Sequence, residues 1–197
     1  MQFRAFEPGI EVKGQTVYSI IDGLGYFTNI SRRYLSQVGI GTVKDKKLVL
    51  DKEGWYSQEA WLKAFENIAR QIGSRVLFNI GMSIPRNAEF PSLTTDVKSA
   101  IYAVDVAYHL NHRKNGKRMF DIQTNVMMEG IGHYGCDPIP GKNEIISVCN
   151  NPCPCSFNRG ILTAMARKFE PSARIVHDNS KECLKYGADS CTFHILW

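Results

Sequence analysis

The final fifty residues constrain the fold most. An apolar run, Glu144-Ile-Ile-Ser-Val-Cys-Asn150, reads as a strand and enters the turn Asn151-Pro-Cys-Pro-Cys155. A helical stretch follows from Ser156 to Glu170, with Ile161, Leu162, Met165 and Phe169 on one face. Then come the β-branched run Ala173-Arg-Ile-Val-His177, a turn through Cys183 and Gly187, and the terminal strand Cys191-Thr-Phe-His-Ile-Leu-Trp197. Cys153, Cys155, Cys183 and Cys191 all stand at the ends of these elements, where one fold can bring them together. Strand, helix, strand and strand in this order predict an antiparallel sheet with an inserted helix.

Helical patterns dominate the part before it. Apolar residues from Thr16 to Val38 recur at helical spacing, interrupted by Gly23 and Gly25, which are read as sites of close packing rather than as room for a ligand. Thr42 to Leu50 reads as a small hairpin or a polar excursion. Ser57 is an N-cap for a helix bearing Trp61, Leu62, Phe65, Ile68 and Ile72, and Arg75 to Ile84 reads as a second helical piece ending before Pro85. Thr95 or Asp96 starts a further helix reaching about Arg113. Asn115-Gly116 turns the chain, and Arg118–Ile122 and Val126–Tyr134 read as paired strands. The expected architecture is α+β: N-terminal helices packed on an antiparallel sheet, in one domain over residues 1–197 with a helical part to about 113 and a sheet part from about 114.

With 197 residues, the chain is long enough to bury a core without covalent staples. Its net charge of +5 is modest and scattered, apart from the turn Arg113-Lys-Asn-Gly-Lys-Arg118, so no nucleic-acid footprint is expected. Met1 to Glu7 lacks a signal-peptide core and no run is of membrane-spanning length, so the expected setting is cytoplasmic, away from membranes. There six cysteines are read as free thiols or metal ligands in preference to disulfides.

Two constellations carry candidate chemistry. Four thiolates from Cys153, Cys155, Cys183 and Cys191 suit tetrahedral zinc, the alternatives being buried thiols or a disulfide. Cys136 and Cys149 read as structural. Asp105, His109 and His112, at i, i+4 and i+7, share a helical face, while Glu129 and His133 point the same way if Val126–Tyr134 is a strand. Packed together, these residues form a carboxylate and imidazole cluster suited to iron or zinc, and one histidine suits a haem iron. The bland alternative is a solvated face of hydrogen-bonded histidines near a helix C-terminus. Gly130-Ile-Gly-His-Tyr-Gly135 has no phosphate-loop ending; its glycines mark a bulge or the close approach of a ligand. No motif for acyl or hydride transfer is present, so the chain is read as a binding protein before an enzyme.

The order of strand, Asn-Pro-Cys turn, Arg159-Gly-Ile-Leu helix, strand, Cys183, Gly187-Ala-Asp-Ser-Cys191-Thr-Phe and last strand resembles the 4-vinyl reductase domain family, from about Glu144 to Trp197. That family is related to haem nitric-oxide-binding domains and transport-protein-particle subunits. The resemblance implies an α+β domain, frequently a homodimer, that senses small hydrophobic molecules and signals through a separate output protein. In phenol-sensing members, zinc is held by an upstream cysteine and a Glu-x-x-Cys with a further cysteine eight residues on. Cys183 and Cys191 match the last two, and Cys153 or Cys155 supplies the first. Ser180 stands at the glutamate position, so Glu182, Asp178 or a second cysteine takes its place. The expected function is a sensor or carrier burying a small apolar or haem-like ligand, with His109, His112, His133 and Tyr134 at its pocket. The competing classes are a metalloenzyme using the histidine and carboxylate cluster, and an interaction subunit without a ligand.

Overall fold

A computed structural model describes residues 2–92 and 94–197, Thr28 by its backbone alone, so Met1 of the N-terminal stretch lies outside the described residues. Strand β1 (Ile10–Lys13) leads into α1 (Gly14–Val17), α2 (Ser19–Leu24) and α3 (Thr28–Gln37). The hairpin β2 (Thr42–Lys44) and β3 (Lys47–Val49) precedes β4 (Trp55–Ser57), α4 (Gln58–Ile72), α5 (Ser74–Asn87) and α6 (Val97–Leu110). Short strands follow: β5 (His112–Lys114), β6 (Lys117–Arg118), β7 (Phe120–Asp121), β8 (Val126–Met127) and β9 (Asp137–Pro138). The chain closes with β10 (Glu144–Cys149), α7 (Cys155–Arg167), β11 (Arg174–His177) and β12 (Cys191–Leu196).

The expected α+β architecture is present. Sheet order is β11-β12-β10-β9, every pairing antiparallel, with Ile145 opposite Ile195 and Cys149 opposite Cys191. Residues of β12 alternate buried and half-buried, so Phe193 and Ile195 face the core while His194 faces out. A second sheet has the order β4-β1-β5-β6.

The local signals explain most element starts. The Ser57 side chain accepts a hydrogen bond from Ala60 N at 3.3 Å. Asp96 and Ser99 form a reciprocal capping box at the head of α6. Asn115 and Gly116 both adopt positive φ, as the two-residue turn between β5 and β6 requires.

Three expectations are corrected. Residues 16–38 break into α1, α2 and α3 rather than forming one interrupted helix. Helix α5 continues through Pro85 to Asn87. Residues 128–133 are irregular loop instead of strand, because Gly130 (φ 119°) and Gly132 (φ 75°) turn the backbone out of extended geometry.

Glycine contacts set the packing of the helices. A Cβ on Gly23 would come within 2.4 Å of Ile80 Cα, so this glycine serves close packing as expected. A Cβ on Gly81 would meet Phe157 O at 2.2 Å, and one on Gly160 would meet Phe78 O at 2.2 Å, so α5 and α7 touch backbone to backbone. Gly160→Ala is therefore expected to cost about 2 kcal/mol through forced separation of the two helices. A denaturant midpoint equal to wild type would disprove that contact.

Candidate functional site

The thiol site lies where four segments end. Cys155 opens α7, His177 closes β11, Cys183 lies in the turn between β11 and β12, and Cys191 opens β12. The Cys155 sulfur is 2.6 Å from that of Cys191 and 3.3 Å from that of Cys183, while Cys191 and Cys183 are 3.5 Å apart. One ligand atom from each of Cys155, His177, Cys183 and Cys191 lies within 4.8 Å of all the others. His177 Nδ1 pairs with Asn179 Oδ1 at 2.9 Å, leaving Nε2 buried with no partner. An imidazole with one nitrogen oriented by a side-chain oxygen and the other unpartnered has the arrangement of a zinc ligand. All six cysteines are free thiols. Hydrogen bonds from Cys191 lower the Cys155 thiol to about 6, with burial opposing and Cys183 assisting. The set brings together three sulfurs and one imidazole nitrogen.

Cys153, expected as a possible ligand, lies outside this cluster. It is fully buried, with its thiol held well above the ordinary value by burial and by neighbouring Cys149. His177, and not Glu182, Asp178 or a fourth cysteine, completes the set. The signal for it was present in the sequence: a histidine ends a β-branched run six positions before Cys183. Cys136 and Cys149 are pushed by burial to about 11 and about 12, consistent with inert thiols.

The expected histidine cluster divides into two. Asp105 and His109 lie one turn apart on α6 and meet the loop of Glu129 and His133. His133 Nδ1 donates to Asp105 Oδ2 at 2.9 Å and its Nε2 to Glu129 Oε2 at 3.1 Å. Burial works against charge on His133, but Asp105 and then Glu129 outweigh it and raise its pKa. His112 is elsewhere. It begins β5 beyond the helix, so the i+7 spacing does not place it on the face of Asp105.

His112 instead lines a small interior cavity of about 30 Å³ with Trp61, Tyr108, Tyr134 and Phe157. Its Nδ1 pairs with Tyr108 O at 2.7 Å, while its Nε2 has no partner. Burial lowers its pKa to about 4, so the ring is neutral. Trp61 Nε1 is likewise buried and unpartnered, its ring 6.2 Å from that of His112. Trp61, fully buried, was visible in the sequence only as part of a helix face. The polar neighbours are satisfied: Tyr134 donates to Asn158 at 2.7 Å, and Asn111 pairs with Thr16, Glu89 and Ala107. The cavity lining is apolar, and two of the residues that form it, Trp61 and His112, each carry a buried nitrogen without a partner.

The whole fold is similar to solved H-NOX proteins. One from S. oneidensis in the Fe(II) ligation state is 18% identical with a TM-score of 0.63, covering 93% of this chain and 95% of that one. An unliganded Fe(II) H-NOX from K. algicida is 12% identical with a TM-score of 0.57, covering 93% and 95%. A mutant H-NOX from T. tengcongensis is 13% identical with a TM-score of 0.59, covering 93% and 96%. At these identities the likeness is one of fold. No protein-family model and no curated protein matches the chain. The expected kinship thus stands as an H-NOX-like α+β fold, with nothing finer to tie it to 4-vinyl reductases.

A haem does not fit the interior as it stands. Trp61, Phe65 and Phe157 fill the space between the helices, with ring centroids 4.7 to 5.9 Å apart. The remaining 30 Å³ admits roughly two waters, far less than a tetrapyrrole needs. No described helix is long and apolar enough to cross a membrane.

Proposed function

We propose that this protein is a small-molecule sensor or carrier domain that takes up a small apolar ligand bearing one hydroxyl. The reading rests on two unpartnered nitrogens just behind the apolar lining, Trp61 Nε1 and His112 Nε2, which a ligand opening the cavity would meet. A buried donor and acceptor left unmade cost about 1–3 kcal/mol each. One hydroxyl group answers both, accepting from Trp61 and donating to His112. The aromatic lining of Tyr108, Tyr134 and Phe157 favours a small aromatic alcohol. A ligand of that size must displace the wall formed by Ile84, Ala88 and Phe90. A zinc ion on Cys155, His177, Cys183 and Cys191 would be structural, since four protein ligands leave no position open for chemistry.

The second reading is a haem-dependent sensor, favoured by the fold's likeness to proteins described in Fe(II), Fe(II)NO and Fe(II)CO ligation states. It requires the aromatic cluster to open, with His112 as the available cavity histidine.

Titrating phenol and haemin separately into the purified protein distinguishes the two. Phenol is expected to bind and alter Trp61 fluorescence, and His112→Phe to weaken it at least tenfold. Haemin is expected to give no histidine-ligated spectrum. A stoichiometric haem spectrum lost in His112→Phe would replace the first reading with the second.

A further inference from the structure

The geometry points to a second metal site, distinct from the cysteine cluster and outside the cavity, formed by Asp105, His109, His133 and the rim carboxylate Glu129. It would take one divalent first-row transition ion. This inference is independent of the ligand reading above.

The donor set is the first support. One ligand atom each from Asp105, His109 and His133 lies within 4.8 Å of the other two. Two imidazoles and a carboxylate suit iron(II), cobalt(II), nickel(II) or zinc, whereas calcium and magnesium prefer oxygen alone. Glu129 Oε2, 3.1 Å from His133 Nε2, is exposed at the edge, where it is free to swing onto an ion or away from it.

The second support is His109. Hydrogen bonding among Asp105, His133 and Glu129 accounts for those three residues without any metal, but not for this one. The His109 side chain is wholly buried. Its Nδ1 donates to Asp105 O at 2.9 Å, which leaves the lone pair on Nε2, and that nitrogen has no partner. The ring packs against that of His133, with centroids 4.9 Å apart. A solvated histidine face would not bury one ring completely and leave its acceptor unused.

The third support is rigidity. His133 N donates to Asn150 Oδ1 at 2.6 Å, and His133 O accepts from Asn150 N at 3.2 Å. Tyr134 N donates to Asp105 Oδ1 at 2.9 Å, and Tyr108 Oη donates to Ile131 O at 2.9 Å, so the loop is fastened to α6 on both sides of His133. Gly132 seals the arrangement, since a Cβ there would come within 2.1 Å of Asn150 O. Such fixing holds ligands in place before an ion arrives, which is what a site with few ligands needs. Two histidines and one or two carboxylates leave coordination positions open to water or a ligand, unlike the four-ligand cysteine site.

The test uses the full chain with its cysteine site already loaded with zinc and cobalt(II) as the probe. One further cobalt per chain is expected to bind, with ligand-field absorption typical of nitrogen and oxygen donors and no thiolate charge-transfer band. His133→Ala should weaken this binding at least tenfold and Glu129→Gln by a few-fold, while His194→Ala leaves it unchanged. If His133→Ala fails to fold, Glu129→Gln, altered at an exposed side chain, carries the test. The inference is overturned if no second cobalt binds, if a thiolate band shows cobalt merely replacing zinc, or if the variants that fold bind as wild type does.

Discussion

Cys191→Ser is expected to empty the cysteine site and lower the melting temperature by about 10 °C. Cys191 opens β12, the strand paired on both sides within its sheet. An ion there would tie that strand to the head of α7 through Cys155, to the end of β11 through His177 and to the intervening turn through Cys183. Structural zinc is the whole folding energy of some small domains, but here a core of buried apolar residues stands beside it. Losing about 3–5 kcal/mol is the reasonable expectation, at roughly 2–4 °C for each kcal/mol in a chain of this size. Cys153→Ser provides the contrast, since its sulfur is outside the cluster: that variant should keep one zinc per chain by metal analysis. Zinc lost from Cys153→Ser and retained by Cys191→Ser would reverse the assignment.

The second large effect is on stability against pH. His112 is fully buried and its pKa falls from 6.5 in the unfolded chain to about 4 in the fold, chiefly through burial. Between those values the unfolded chain binds a proton that the folded chain refuses. The contribution is therefore fully present above pH 6.5 and is lost as pH falls toward 4. A difference of about 2.5 pKa units corresponds to roughly 3 kcal/mol. His112→Phe removes this term, so denaturation curves taken from pH 7 to pH 4 should show wild type losing about 3 kcal/mol more than the variant. His194 and His133, both raised by carboxylates, act in the opposite direction in both proteins and cancel in the comparison. Parallel curves would mean that His112 is solvated.

The C-terminal sheet and its helix were legible in the sequence because period-two and helical patterns there are bounded by proline, glycine and cysteine turns. Helix α7 lies one residue from its expected start, with Ile161, Leu162 and Met165 buried as read. The glycine-bearing segment at 128–133 was misread because alternation along a chain says nothing about positive φ. The histidine and carboxylate group was half legible for the same reason: an i, i+4 pair on a helix survives folding, but His112 lies past the helix end, where the helical period no longer applies. His177 went unrecognised because a ligand is defined by what converges on it in space. The orphaned nitrogens of Trp61 and His112 could not be read at all, since an unmade hydrogen bond is a property of packing.

The glycine contact between α5 and α7 has a mechanical consequence. Two helices meeting at their backbones leave no side-chain layer to slide or compress, so they move as one block. Phe157 in α7 and Ile84 in α5 belong to that block, and both line the cavity. The rest of that wall, Ala88 and Phe90, belongs to the short connector after α5, whose Glu89 is held at both its backbone N–H and its carbonyl by Asn111 at the end of α6. A ligand that pushes this connector outward must break that paired grip before the frame gives way. Because Asn111 caps α6, the same grip couples the connector to the far end of the helix that carries Asp105 and His109.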